Sequence, residues 1–78
     1  MKTNLYSIQD VLVGFHAPFI APNDAAAKRD YRLWAQTQKN AADLRLFKLG
    51  TYEDSTGDID SLVECLEGGI EYVGENQI

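Results

Sequence analysis

The sequence predicts an α+β fold: a small antiparallel sheet of three to five strands, one main helix packed on one face, and a homodimer as the working unit. Three observations predict it. Apolar residues alternate along Leu5–Asp10 and again from Leu44. An alanine-rich run with helical spacing follows Asn23. The loop Asp54-Ser55-Thr56-Gly57 has the residues of a hairpin turn.

The first element lies near the N-terminus. Leu5-Tyr6-Ser7-Ile8-Gln9-Asp10 contains strand-favouring residues and gives a first strand at about 4–9. Asp10 to Gly14 turns, and Phe15–Ile20 returns as an extended segment, a hairpin over about 4–20. Pro18 lacks a backbone donor and confines that return to a sheet edge. Asn23 then caps a helix predicted over about 24–38, with Asp24 near the positive end of its dipole. At 100° per residue Ala27, Tyr31, Trp34 and Gln38 share one side with Ala35 adjoining, while Lys28, Arg29, Arg32 and Lys39 share the opposite flank.

Leu44–Leu49 begins the next strand, and the second hairpin spans about 44–63. Leu44, Leu46 and Lys48 point one way, Arg45, Phe47 and Leu49 the other. The stretch after Gly57 fits two readings. Ser61-Leu62-Val63-Glu64 has the form of a capping box, with Gly68-Gly69 able to stop a short helix, and Ile59–Leu66 can equally stay extended. Ile70–Val73 is a candidate short strand, and residues 64–78 form an acidic C-terminal segment.

Size and composition narrow the class. Seventy-eight residues, 45% hydrophobic and 24% charged, make one globular domain, 1–78. A chain this short has a thin core and commonly leans on a disulfide, a metal or a second subunit. Cys65 is the single cysteine and His16 the single histidine, so neither a disulfide framework nor a cysteine-cluster zinc site can form within the chain. That leaves self-association. No apolar run nears the roughly 18 residues of a membrane span, and no cleavable leader opens the sequence, which points to a cytoplasmic protein with a reduced thiol.

No catalytic residue, metal ligand set or cofactor is expected. One His and one Cys, far apart, make a poor catalytic pair. Gly68-Gly69 lacks the Lys and Ser or Thr of a phosphate-binding loop. Glu53, Asp54, Asp58 and Asp60 gather at the second turn, but Ile59 stands where a calcium loop requires glycine.

Charge is uneven. Residues 1–49 sum to +3 and residues 50–78, with no Lys or Arg, to −8. Lys28, Arg29, Arg32, Lys39, Arg45 and Lys48 are therefore the candidate phosphate contacts for a single-stranded nucleic acid, with Phe15, Phe19 and Phe47 as stacking residues or, alternatively, a dimer interface. The acidic last third is expected to compete with nucleic acid for the basic flank. An acidic homodimeric adaptor that binds another protein without contacting nucleic acid is the competing reading, since a negative chain repels polyanions at long range.

Leu5–Asp10, the run Pro18–Arg29 with its PFxAxND signature, and Leu46–Gly57 with LxxLGxYxxxTG occur in that order. Together they resemble the small nonstructural protein of gokushoviruses, the small single-stranded DNA phages of the Microviridae. The resemblance spans about residues 5–58. It implies a non-enzymatic protein of the infected bacterial cytoplasm, acting in genome replication or the switch to packaging and often labelled DNA-binding. It supplies no functional residues, only Asn23 as cap, Gly50 within a strand and Gly57 in a turn.

Overall fold

The computed structural model describes residues 1–72. They form five strands and one helix: β1 (Lys2–Asp10), β2 (Gly14–Phe15), β3 (Phe19–Ala21), α1 (Asp24–Ala35), β4 (Leu44–Glu53) and β5 (Ile59–Gly68), with a 3-10 turn at Ala41–Asp43 before β4. The sheet is antiparallel in the order β2-β1-β4-β5, with β3 also paired to β1 beside β2. This is the α+β architecture expected from the sequence.

The first hairpin closes through the Val11–Val13 turn, where Asp10 accepts from the Val13 amide at 3.0 Å and, through its side chain, from the Leu12 amide at 2.9 Å. The returning segment is interrupted at His16-Ala17-Pro18 and divides into β2 and β3, as a donorless Pro18 at an edge requires. The Asn23 side chain accepts from the Ala26 amide at 2.8 Å and starts α1.

The helix is shorter than the predicted 24–38. Gln36 caps it, and the amides of Thr37 and Gln38 reach back only three residues, to Trp34 and Ala35, tightening the last turn. Its buried stripe is Ala27, Tyr31 and Ala35, at a strict four-residue spacing. Trp34, expected on that stripe, is 39% exposed and meets His16 edge-on instead. The stretch after Gly57 is also settled: Ile59–Gly68 is one strand, so the capping-box helix at Ser61–Glu64 does not form and the hairpin runs to Gly68 rather than Val63. Ile70–Tyr72 carry no strand, and Val73 lies outside the described residues.

Twelve residues give a helix about 18 Å long, whereas a ten-residue strand is about 33 Å long. The helix therefore covers only part of one sheet face. Tyr6, Ala21, Leu44 and Leu46 meet Ala27, Tyr31 and Ala35 in the core, and beyond Lys48 the strands run past the helix N-terminus as an arm. That is why β5 is exposed from Ile59 to Cys65 and half-buried only at Leu66 and Glu67.

The arm begins at a backbone irregularity. The β1–β4 register slips between Leu5 and Tyr6, leaving one extra residue on β4 between Lys48 and Gly50. Gly50 has φ +142°, and a Cβ there would overlap the Asp60 carbonyl oxygen of β5. Gly57, at φ +81°, provides the left-handed residue of the β4–β5 turn. Gly50→Ala should cost about 2–4 kcal/mol, because both the φ and the close approach exclude a side chain. A urea melt checks this: a shift of the midpoint as small as that of Gly57→Ala, where a Cβ meets open space, would contradict it.

Candidate nucleic-acid interface and open sheet face

The ladder register sorts the side chains onto two surfaces. Directly opposed residues share a face. The pairs Tyr6–Lys48, Ile8–Leu46, Tyr6–Phe19 and Leu46–Glu67 put all of these on the helix side. The pairs Ser7–Phe47, Gln9–Phe15, Leu5–Ile20, Tyr52–Ile59 and Phe47–Cys65 put these on the other, open face.

The candidate stacking residues are thereby divided. Phe15 and Phe47 pack edge-to-face on the open side, ring centroids 5.2 Å apart, above Ser7, whose buried hydroxyl donates to the His16 carbonyl at 2.7 Å. Phe19 is not with them. It stacks on Tyr6 at 5.8 Å on the helix side, as part of the core margin.

The candidate phosphate contacts are divided as well. Half-buried Lys28 and exposed Arg29 and Arg32 cluster on one flank of α1, and Lys39 stands exposed beyond its C-terminus. Arg32 does not stand free: its guanidinium grips Glu67 of β5 with both ends, one contact being Nε to Oε2 at 2.6 Å. That ion pair holds the Glu67 carboxyl below the usual carboxylate range, and nearby Lys28 adds to the effect. Arg29 lies 3.3 Å from Asp30, both well exposed, a contact of little energetic weight. Lys28 and Lys39 have no ion pair among the described residues. Arg45 belongs to the open face, but its guanidinium turns back to donate to the carbonyls of Ala42 at 2.7 Å and Leu44 at 3.2 Å.

Lys48 is committed to the core margin. Its ammonium lies 3.4 Å from Asp24, which also accepts a 2.6 Å hydrogen bond from the Tyr6 hydroxyl. This node ties β1 and β4 to the helix N-terminus. Burial, and then the Asp24 carboxylate, push the Tyr6 hydroxyl far above its ordinary pKa. The same Tyr6 hydrogen bond, with Lys48, holds Asp24 below its usual range. At the other end of α1, the Tyr31 hydroxyl donates to the Leu44 carbonyl at 2.8 Å, and burial raises its pKa.

The capping pattern placed Asp24 at the helix start, but nothing local indicated its link to Tyr6 and Lys48. Glu67 was likewise one acid among many. Among the described residues no three His, Cys, Asp or Glu side chains gather to hold a metal ion, and no helix is long and apolar enough to cross a membrane.

The fold and its surfaces define a single-helix α+β module with a cationic helix flank on one side and a carboxylate-free, aromatic sheet face on the other. The chain belongs to the Phage ORF5 protein family, whose model matches residues 3–71. No curated protein and no solved structure matches it.

The lowered Asp24 carboxyl has a pH consequence. Its stabilisation is complete above the unfolded value of 3.8 and is lost as pH falls through the lower folded value. At this half-exposed site Asp24→Asn should cost about 1 kcal/mol at neutral pH and almost nothing at about pH 2. Urea midpoints measured across that range should therefore converge for the two proteins at acid pH; parallel curves would exclude this role for the carboxylate.

Proposed function

We propose that this phage protein is a non-enzymatic binder of single-stranded DNA in the cytoplasm of the infected bacterium, in the manner of the gokushovirus nonstructural proteins its signature resembles, and that it acts in genome replication or the switch to packaging. The observation that carries this reading is the cluster of Lys28, Arg29 and Arg32 on one flank of α1, with Lys39 beyond. Phosphate contacts of this kind track a flexible strand without reading its bases. Phe15 and Phe47 lie on the opposite side of the sheet and have no part in the DNA contact; binding is electrostatic rather than a combination of charge and stacking.

Glu67 acts as an internal competitor in this reading. It occupies Arg32 in the way a phosphate would, and DNA must displace it to use the whole flank. Because residues 61–68 belong to β5, the competition is tested by a single charge change rather than by truncation. In fluorescence anisotropy with a labelled oligonucleotide, Glu67→Gln should tighten binding about two- to fivefold, since the freed guanidinium adds about one phosphate contact. Weaker or unchanged binding would remove the competitor.

The double change Lys28→Ala with Arg29→Ala should weaken binding by similar factors for all base sequences and reduce the salt slope by about 1.4, the share of two phosphate contacts on a single strand. The formal charge of −5 favours the second reading, an acidic adaptor for a phage or host replication or assembly protein. Absence of oligonucleotide binding by the wild-type protein at low salt would select the adaptor.

A further inference from the structure

The strands segregate charge by face. On the helix side lie Lys2, Asp10, Lys48, Glu53, Asp60, Glu64 and Glu67, each placed there by its ladder partner. The opposite face presents Thr3, Leu5, Ser7, Gln9, Phe15, Ile20, Phe47, Tyr52, Ile59 and Cys65. Its one charged residue, Arg45, has its guanidinium tied to backbone carbonyls while its side chain crosses the Gly68 backbone, where a Cβ would collide with it. In a chain with 19 charged side chains, 12 of them acidic, a whole sheet face without a carboxylate calls for a physical explanation. Phe15 is 49% exposed there, and Ile20 and Ile59 are each 57% exposed.

We propose that a second copy of this chain covers the open face, so that two sheets stack face to face and the two α1 helices lie on the outside of the dimer. Three observations select this occupant. The first is charge. A two-fold interface sets a patch against itself, so a charged patch repels its own copy and a neutral one does not. A nucleic acid would need cations on this face, and its only candidate is the committed Arg45.

The second is area. The molecule extends 42 × 27 × 16 Å, so the outline of its broad side is of the order of the roughly 800 Å² per partner of a standard interface. The chain also has need of that burial: of the eight buried apolar residues among those described, four are alanine, which supply little core volume.

The third is that both sheet edges are closed to pairing. On the β2–β3 side the edge is broken at His16-Ala17-Pro18. On the β5 side the ladder is irregular between Leu46 and Phe47 and between Lys48 and Gly50, and Val63 has φ +50°. Edge-to-edge pairing of two β5 strands would also bring the acidic set Asp60, Glu64 and Glu67 of one copy alongside that of the other. Stacking of the carboxylate-free faces is the association left.

This inference is independent of DNA binding, since it uses the side of the sheet away from α1. Light scattering coupled to size exclusion tests it on the full chain between about 1 and about 100 µM. The wild-type protein should show twice its 8.7 kDa mass. The double variant Ile20→Lys with Ile59→Lys should dissociate at least about tenfold more readily, with unchanged circular dichroism. Leu33→Lys, on the exposed surface of α1, should remain dimeric.

A wild-type monomer at the highest concentration, a folded double variant that stays dimeric, or dissociation by Leu33→Lys would each overturn the proposal. Should the double variant fail to fold, Cys65 provides a variant-free readout, because it is exposed on the open face opposite Phe47. Its alkylation by iodoacetamide should slow more than about threefold as protein concentration rises through the dimerisation range. A rate independent of concentration, or protection only by added oligonucleotide, would overturn it as well.

Discussion

One helix can cover only one face of a sheet, and here it is too short to cover even that. Twelve helical residues lie against strands of nine and ten, and the structure is organised around that shortfall. The core forms where α1 meets the sheet, between Tyr6, Leu44 and Leu46 on the strands and Ala27, Tyr31 and Ala35 on the helix. Small alanines let the helix approach closely, and two tyrosines fill the space that remains. Both hydroxyls reach acceptors at the rim, Tyr6 at Asp24 and Tyr31 at the Leu44 carbonyl, so the burial of two polar atoms is offset by hydrogen bonds. The two contacts fix the helix at both of its ends.

The sheet beyond the helix is organised by register rather than by packing. An extra residue on β4 before Gly50 and irregular pairing along β5 change which side chains share a face. Their combined effect gathers the strand carboxylates on the helix side, where Lys2, Lys48 and Arg32 meet Asp60, Asp24 and Glu67. The opposite face is left without a carboxylate, and Arg45 is its one charged side chain. The two capacities that the sequence suggested for one surface, a cationic track and an aromatic platform, are thus on opposite sides of the molecule. The phosphate contact proposed above would fall to α1, and Phe15 and Phe47 belong to the face on which association is proposed.

Membership of the Phage ORF5 family and the α+β fold place the chain among small phage proteins. The contact between Arg32 and Glu67 joins the most basic and the most acidic portions of the chain. In the proposed function it makes the helix flank less cationic in the free protein than its residues alone would imply. In that reading an overall negative chain would bind phosphate only through a local cluster, and more tightly as salt falls.

The sequence by itself determined the elements whose signals are local. Asn23 and the alanine run specify the helix start, Pro18 breaks the edge, and Asp54–Gly57 forms the turn, because capping, φ restriction and left-handed glycine act within a few residues. Strict alternation from Leu44 to Lys48 also gave the faces correctly for as long as the strand stayed regular. Past that point it failed: Glu67 has odd numbering while Asp60 and Glu64 have even, yet all three share one face, since an extra residue near Leu66 resets the alternation. Trp34 was misplaced for a related reason, because the helix turned its four-residue alanine and tyrosine row to the sheet rather than the centre of the broader apolar arc. Register and helix rotation are settled by the closest fit between distant segments, and only the tertiary structure could decide them.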